Sequence, residues 1–137
     1  MAQSNLLTVA NAIGALAAEF NNNTILDSNI KLAMGKCEVT QKKLSLYIIG
    51  EIGKLSKTPL QNEKSLIDSL FKLLNTESEE IKSVCAICIG RLSVSNPKYF
   101  VPLIFDSIKQ KGHSYLMLYA IREVILTNAK ILEPFLD

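Results

Sequence analysis

A six-residue apolar motif centred on glycine returns through this chain at a near-constant interval. Ala12-Ile13-Gly14-Ala15-Leu16-Ala17 resembles Ile48-Ile49-Gly50-Glu51-Ile52-Gly53, and both resemble Cys88-Ile89-Gly90-Arg91-Leu92-Ser93. A fourth copy, Ala120-Ile121-Arg122-Glu123-Val124-Ile125, carries Arg122 at the glycine position. The steps between copies are 36, 40 and 32 residues, close to the period of helix-pair solenoids, about 34 to 47 residues. A unit of that length is too small to bury its own apolar face. Units must therefore stack on one another around a continuous core.

Each copy sits on a helical pattern. Leu6, Val9, Ala10, Ile13, Leu16, Ala17 and Phe20 follow 3-4 spacing, as do Ile81, Val84, Cys85, Cys88, Ile89 and Leu92, so each series forms a stripe on one side of a helix. Spacer helices lie between them. Leu66, Ile67, Leu70 and Leu74 form one stripe, with Lys64, Asp68 and Lys72 on the opposite face; Val101, Ile104, Phe105 and Ile108 form another. No strand alternation is sustained. The expected fold is an all-α, HEAT-like helical-repeat solenoid of seven to eight helices in antiparallel pairs. The expected helices are 5–20, 25–35, 38–56, 60–75, 78–95, 97–110 and 114–129, with a further one starting near Leu132. They divide into repeats 1–36, 37–75, 76–112 and an incomplete 113–137. Neither end carries the polar cap of a finished solenoid, which reads as a segment of a longer repeat protein.

Boundary chemistry supports these spans. Thr58-Pro59 with Gln61, and Thr76 with Glu79, have the spacing of capping boxes, and Asn96-Pro97 places proline at a first helical position. Glu77, Glu79 and Glu80 suit the positive end of a helix dipole, and Lys111-Gly112 offers a left-handed close. Mid-helix glycine costs about 1 kcal/mol against alanine. Its return at one repeat position therefore signals close helix packing.

Composition narrows the function classes. Hydrophobic residues make up 48% of the 137-residue chain and charged residues 20%, which is enough apolar surface for a packed core. The net charge is +2 and dispersed, without a block of like charges. That pattern points away from nucleic acid and membrane surfaces as partners. There is no secretory signal and no apolar run of spanning length, so a cytoplasmic or nuclear compartment is expected.

Signals for chemistry are sparse. Cys85-x-x-Cys88 lies mid-helix on the apolar stripe, and only Cys37 and His113, both distant in sequence, could complete a metal set. The pair reads as small buried thiols between helices. His113, beside Ser114, reads as a solvated loop residue, and Glu123 beside Arg122 as part of a solvated face. No isolated carboxylate pair suits acid–base work. The chain reads as a protein-binding scaffold rather than an enzyme, with no cofactor and no small-molecule substrate.

A specific resemblance runs from about Leu44 to Ala129. It is carried by Gly50-Glu51-Ile52-Gly53, Ser78-Glu79-Glu80-Ile81-Lys82-Ser83, Ser93-Val94-Ser95-Asn96-Pro97-Lys98-Tyr99 and Tyr115-Leu116-Met117-Leu118-Tyr119-Ala120-Ile121-Arg122-Glu123-Val124-Ile125. Before residue 44 only Ala10–Leu16 is similar. In order and spacing these runs resemble the C-terminal third of the cullin-associated, neddylation-dissociated (TBP-interacting) family of HEAT-repeat proteins. The resemblance implies a superhelix that wraps an unneddylated cullin and its RING subunit, excludes substrate-receptor adaptors and promotes receptor exchange among cullin ubiquitin ligases. It also implies a projecting β-hairpin against the adaptor site, for which this chain carries no signal. The alternative is a HEAT or armadillo module of an unrelated scaffold or a nuclear transport receptor.

The second helices of such repeats usually line the concave, partner-binding face. Expected contact residues on them are Lys64, Asp68 and Lys72, then Lys98, Asp106 and Lys109, with Lys57 and His113 at the rim. Tyr99 and Phe100 are sharper candidates, since aromatics dominate interface hot spots, although one of the two is expected to fill the core beside Val101.

Overall fold

A computed structural model describes residues 3–20, 23–56, 63–76, 78–109 and 114–135. Among these residues all regular structure is helical: α1 (Gln3–Glu19), α2 (Asn23–Met34), α3 (Val39–Leu55), α4 (Glu63–Thr76), α5 (Glu79–Ser93), α6 (Pro97–Ile108) and α7 (Ser114–Asn128), which runs on into a 3-10 helix at Ala129–Phe135. The fold is the all-α helical-repeat architecture that the periodicity predicts.

The helices form two layers. α1, α3, α5 and α7 carry the four motif copies and lie side by side in one row, in that order. α2, α4 and α6 make the second layer and pack chiefly on α3, α5 and α7 respectively. α3 has neighbours on almost every side, so every residue from Ser45 to Gly53 is buried. A helix apolar all round belongs in the interior, and each large aliphatic there, such as Leu46 or Ile49 at 0% exposure, contributes about 2 kcal/mol by leaving water.

Glycine sets the spacing of the motif row. A Cβ on Gly14 would fall 2.6 Å from Glu51 Cβ and 3.3 Å from the Ile48 carbonyl oxygen. One on Gly50 would meet Cys88 Cα at 3.3 Å and Arg91 Cβ at 3.4 Å, and one on Gly90 the Ala120 backbone. Each motif glycine thus sits over the residue two before the reference position of the next copy. In the first two junctions it also sits over the residue one after. One contact rule repeats along the row, and a side chain at these positions would hold the helices apart.

Several boundaries differ from expectation. Thr76 ends α4 rather than capping α5. The cap of α5 is Ser78, whose hydroxyl accepts from the Ile81 amide at 3.4 Å. Asn96-Pro97 does start α6, with the Asn96 carbonyl accepting from the Tyr99 and Phe100 amides at 3.1 Å. The further helix expected near Leu132 is the 3-10 helix Ala129–Phe135. The chain tightens directly from α7 into the 3-10 helix, and Leu132 packs with Val101 and Val124 in a small second core. The stripe read on α1 divides in two: Leu6, Ala10 and Ala17 are buried, whereas Val9, Leu16 and Phe20 are exposed, because α1 has a row neighbour on one side only. The Thr58-Pro59-Gln61 start, Glu77 and the Lys111-Gly112 close lie outside the described residues.

Candidate partner-binding site

α4 and α6 carry the expected contact residues and diverge from each other. No Cα of α4 comes within 8 Å of one of α6, while the motif helices beneath them are in close contact. The reason lies in composition. Glycine at the reference positions draws α3, α5 and α7 together, whereas the facing sides of α4 and α6 carry Phe71 and Leu103.

The divergence opens a groove of about 620 Å³. Phe71 and Leu103, both half-buried against the core, form its apolar part, and Asp68, Lys72 and Asp106 bring charge to its walls. Of the predicted contact residues, the groove thus unites Asp68, Lys72 and Asp106. Lys64 is exposed one turn before Asp68 on α4, and Lys98 and Lys109 stand exposed at opposite ends of α6. Lys57 and His113 lie outside the described residues.

Phe100 leaves the contact set. It is fully buried and is the aromatic that fills the core. Tyr99 is half-buried and meets it edge-on, with ring centroids 5.3 Å apart, a geometry that aromatic quadrupoles favour. Neighbours in sequence on a helix point about 100° apart, so one ring turns inward and the other packs half-buried against the core outside the groove lining. Phe71 and Leu103 escaped the sequence reading. Their only signal is that they lie at the edge of the apolar stripes, where half-burial is expected.

A second polar cluster threads the motif row. Arg91 Nη1 lies 3.4 Å from Glu51 Oε2, and Arg91 Nε lies 3.8 Å from Glu123 Oε2. The second distance is an ion-pair contact too long for a hydrogen bond, and Nε has no hydrogen-bond partner. Lys54 adds a contact to Glu51 at 3.6 Å, and the guanidinium carbon lies 6.0 Å from the Tyr47 ring centroid. Glu51 and Arg91 are both under 10% exposed. Glu51, Arg91 and Glu123 each follow the reference position of their copy by one residue, so their alternating sign across three copies was present in the sequence. Glu123, read there as part of a solvated face, is instead drawn in by Arg91, with its side chain 13% exposed.

Further ion pairs join the starts of the motif helices. Lys43 of α3 binds Glu80 of α5 at 2.5 Å. The Tyr115 hydroxyl of α7 donates to Glu79, which lowers the Glu79 carboxyl below its usual range and raises the Tyr115 phenol. Cys85 and Cys88 are buried between helices. Cys85 Sγ donates to the Leu70 carbonyl at 3.2 Å. Burial pushes the Cys88 thiol up to about 12, against the opposing pull of the Arg91 charge. These are packed thiols rather than reactive ones. Among the described residues no group of His, Cys, Asp and Glu is arranged to hold a metal ion, and no helix is long and apolar enough to cross a membrane.

Known proteins share this sequence in part. The chain is 34% identical over 101 residues to Cullin-associated NEDD8-dissociated protein 1 of Dictyostelium discoideum, a match covering 69% of this chain. It is 29% identical over 90 residues, or 65% of the chain, to the Arabidopsis thaliana protein of the same name. It is 28% identical over 98 residues, or 70% of the chain, to Cullin-associated NEDD8-dissociated protein 2 of Mus musculus. The matched stretch is 7–8% of the length of each relative. No family model matches, and no solved structure does. Matches in an amoeba, a plant and a mammal, each over about two thirds of the chain, make it a homologue of one segment of the cullin-associated NEDD8-dissociated proteins, and it belongs to their family.

Proposed function

We propose that the chain is a protein-holding segment that binds an unneddylated cullin with its RING subunit, and that its surface over α4 and α6 is the contact face. The observation that carries the face is the groove in which Asp68 and Lys72 of α4 meet Asp106 of α6 around Phe71 and Leu103. An apolar cleft ringed by charges of both signs fits a folded protein surface better than it fits a polyanion. Hot spots form where an apolar anchor enters such a cleft and the charged rim excludes water. The partner rests on the relatives, whose names state association with cullins and dissociation by NEDD8. In the complete protein this segment contributes to holding the cullin, and exchange of substrate receptors follows from competition for it.

Capture of purified cullin–RING complex by this chain tests both parts of the reading. Wild-type chain is expected to retain the unmodified complex and to lose the NEDD8-modified one. Reversal of Lys64, Lys72 and Lys109 to glutamate, and separately of Asp68 and Asp106 to lysine, is expected to weaken capture at least tenfold. Capture unaffected by either set refutes the face. Failure of the wild-type chain to hold any cullin, with recovery of a transport receptor's cargo instead, refutes the partner.

A further inference from the structure

Among the described residues, three polar groups lining the α4–α6 groove have no partner. Two are the carboxylates of Asp68 on one wall and Asp106 on the other. By contrast Glu51, Glu79, Glu80 and Glu123 of the motif row are all paired. Lys72, on the same wall as Asp68, already has a partner, and it is neither of these carboxylates. Lys64 and Lys109 stand a helical turn from Asp68 and Asp106 and pair with neither.

The third group is the Ser107 hydroxyl. Ser107 lines the groove yet is only 5% exposed, which puts it at the floor. Other helical serines satisfy the hydroxyl on the carbonyl four residues before: Ser69 donates to Ser65 at 3.0 Å and Ser83 to Glu79 at 2.9 Å. Ser107 makes no such bond to Leu103. A buried hydroxyl without a partner is costly, and a ligand that bonds it recovers that cost.

Phe71 and Leu103 add apolar surface from the two walls. The complementary side chain is positively charged, rich in donors and apolar along its stem. Arginine meets all three conditions. Its planar guanidinium has five N–H donors, enough for two carboxylates and a hydroxyl, and it stacks on aromatic faces such as that of Phe71. A lysine ammonium is a more strongly hydrated point charge with three donors. The lining of α4 from Asp68 to Asn75 is about 10 Å long, which suits one arginine and one apolar neighbour.

We infer that the groove is an arginine pocket for a partner protein. It takes a guanidinium that donates to Asp68, Asp106 and the Ser107 hydroxyl, and it seats a large apolar neighbour of that arginine against Phe71 and Leu103. The pocket rests on the α4–α6 surface being the contact face, and not on the partner being a cullin.

Short acetylated, amidated peptides with leucine next to arginine are the probe. They are titrated into nitrogen-15-labelled chain, and the amide signals of Phe71, Leu103 and Ser107 are read. Saturable shifts are expected at peptide concentrations up to about 10 mM. Citrulline in place of arginine, or alanine in place of leucine, weakens binding about tenfold, and lysine in place of arginine about threefold. In the chain, Asp68→Asn with Asp106→Asn weakens binding about tenfold and Ser107→Ala about threefold, with melting unchanged. Absence of saturable shifts overturns the inference. So does a citrulline, lysine or glutamate peptide that binds as tightly as the arginine one, or full binding by the double asparagine variant. Arginine-peptide binding without cullin capture keeps the pocket and refutes the cullin as partner. Cullin capture that is lost on reversing Asp68 and Asp106, with no peptide binding, keeps the contact face and refutes the arginine pocket.

Discussion

Substituting the motif glycines one at a time measures the contact rule directly. In Gly90→Ala the new Cβ falls 2.3 Å from the Ala120 carbonyl oxygen, 2.8 Å from its Cα and 2.9 Å from its carbonyl carbon. Favourable carbon contacts lie at about 3.5–4.0 Å, and the obstacle is backbone, so no rotamer change relieves it. α5 and α7 must separate by about 1 Å. Overpacking of this kind costs about 1–3 kcal/mol, and a backbone clash belongs at the upper end. Alanine returns about 1 kcal/mol of helical propensity, leaving a net loss of about 2 kcal/mol, or about 8 °C in melting temperature at ~4 °C per kcal/mol. Gly50→Ala is the control. Its nearest neighbours are Arg91 Cδ at 3.2 Å, on a flexible stem, and Cys88 Cα at 3.3 Å. Movement of a few tenths of an ångström suffices, and the propensity gain of about 1 kcal/mol offsets the cost. Gly53→Ala falls between them, since Leu92 Cδ2 at 2.4 Å can turn aside but Leu92 Cα at 3.0 Å cannot. Urea unfolding followed by far-ultraviolet circular dichroism gives the order. A Gly90→Ala chain as stable as wild type, or a larger loss in Gly50→Ala than in Gly90→Ala, refutes glycine as the spacer of the row.

Other perturbations test separate parts of the structure. Arg91→Met keeps an apolar stem but strands Glu51 and Glu123, and is expected to cost about 3 kcal/mol. Combining it with Glu51→Gln and Glu123→Gln should restore more than half of that loss in the same urea titration. Phe100→Ala is expected to cost about 3–5 kcal/mol, and Tyr99→Ala, at a half-buried site, clearly less; equal losses would mean that both rings belong to the core. Iodoacetamide labelling read by mass spectrometry should modify Cys37 readily in the native chain and Cys85 and Cys88 only on unfolding, since both are buried and the Cys88 thiol is raised to about 12. In a carbon-detected NMR titration Glu79 should ionise below its ordinary 4.5 and return towards it in Tyr115→Phe. Because the folded value is the depressed one, the stabilising contribution is present above the unfolded value and is lost as pH falls through the folded one.

Glycine and periodicity carried different kinds of information. Periodicity gives the direction of an apolar face, and it located every helix among the described residues. It does not say how many neighbours a helix has. The stripe on α1 therefore divided into a buried half, Leu6 with Ala10 and Ala17, and an exposed half, Val9 with Leu16 and Phe20. Tyr99 and Phe100 were indistinguishable by composition for the same reason: their fates depend on a 100° turn about a helix whose rotation only packing settles. Glycine reports distance. Its recurrence at one register position identified the layer that packs closely, and a layer with smaller spacing forces the opposite layer apart. In the opposite layer α4 and α6 stand apart, and the groove at Asp68, Lys72 and Asp106 opens between them. The side chains there are not constrained by stacking, so they have no reason to repeat, and a repeat-based reading finds no pattern in them. The same freedom lets one repeat protein hold its own partner on a scaffold shared with many others.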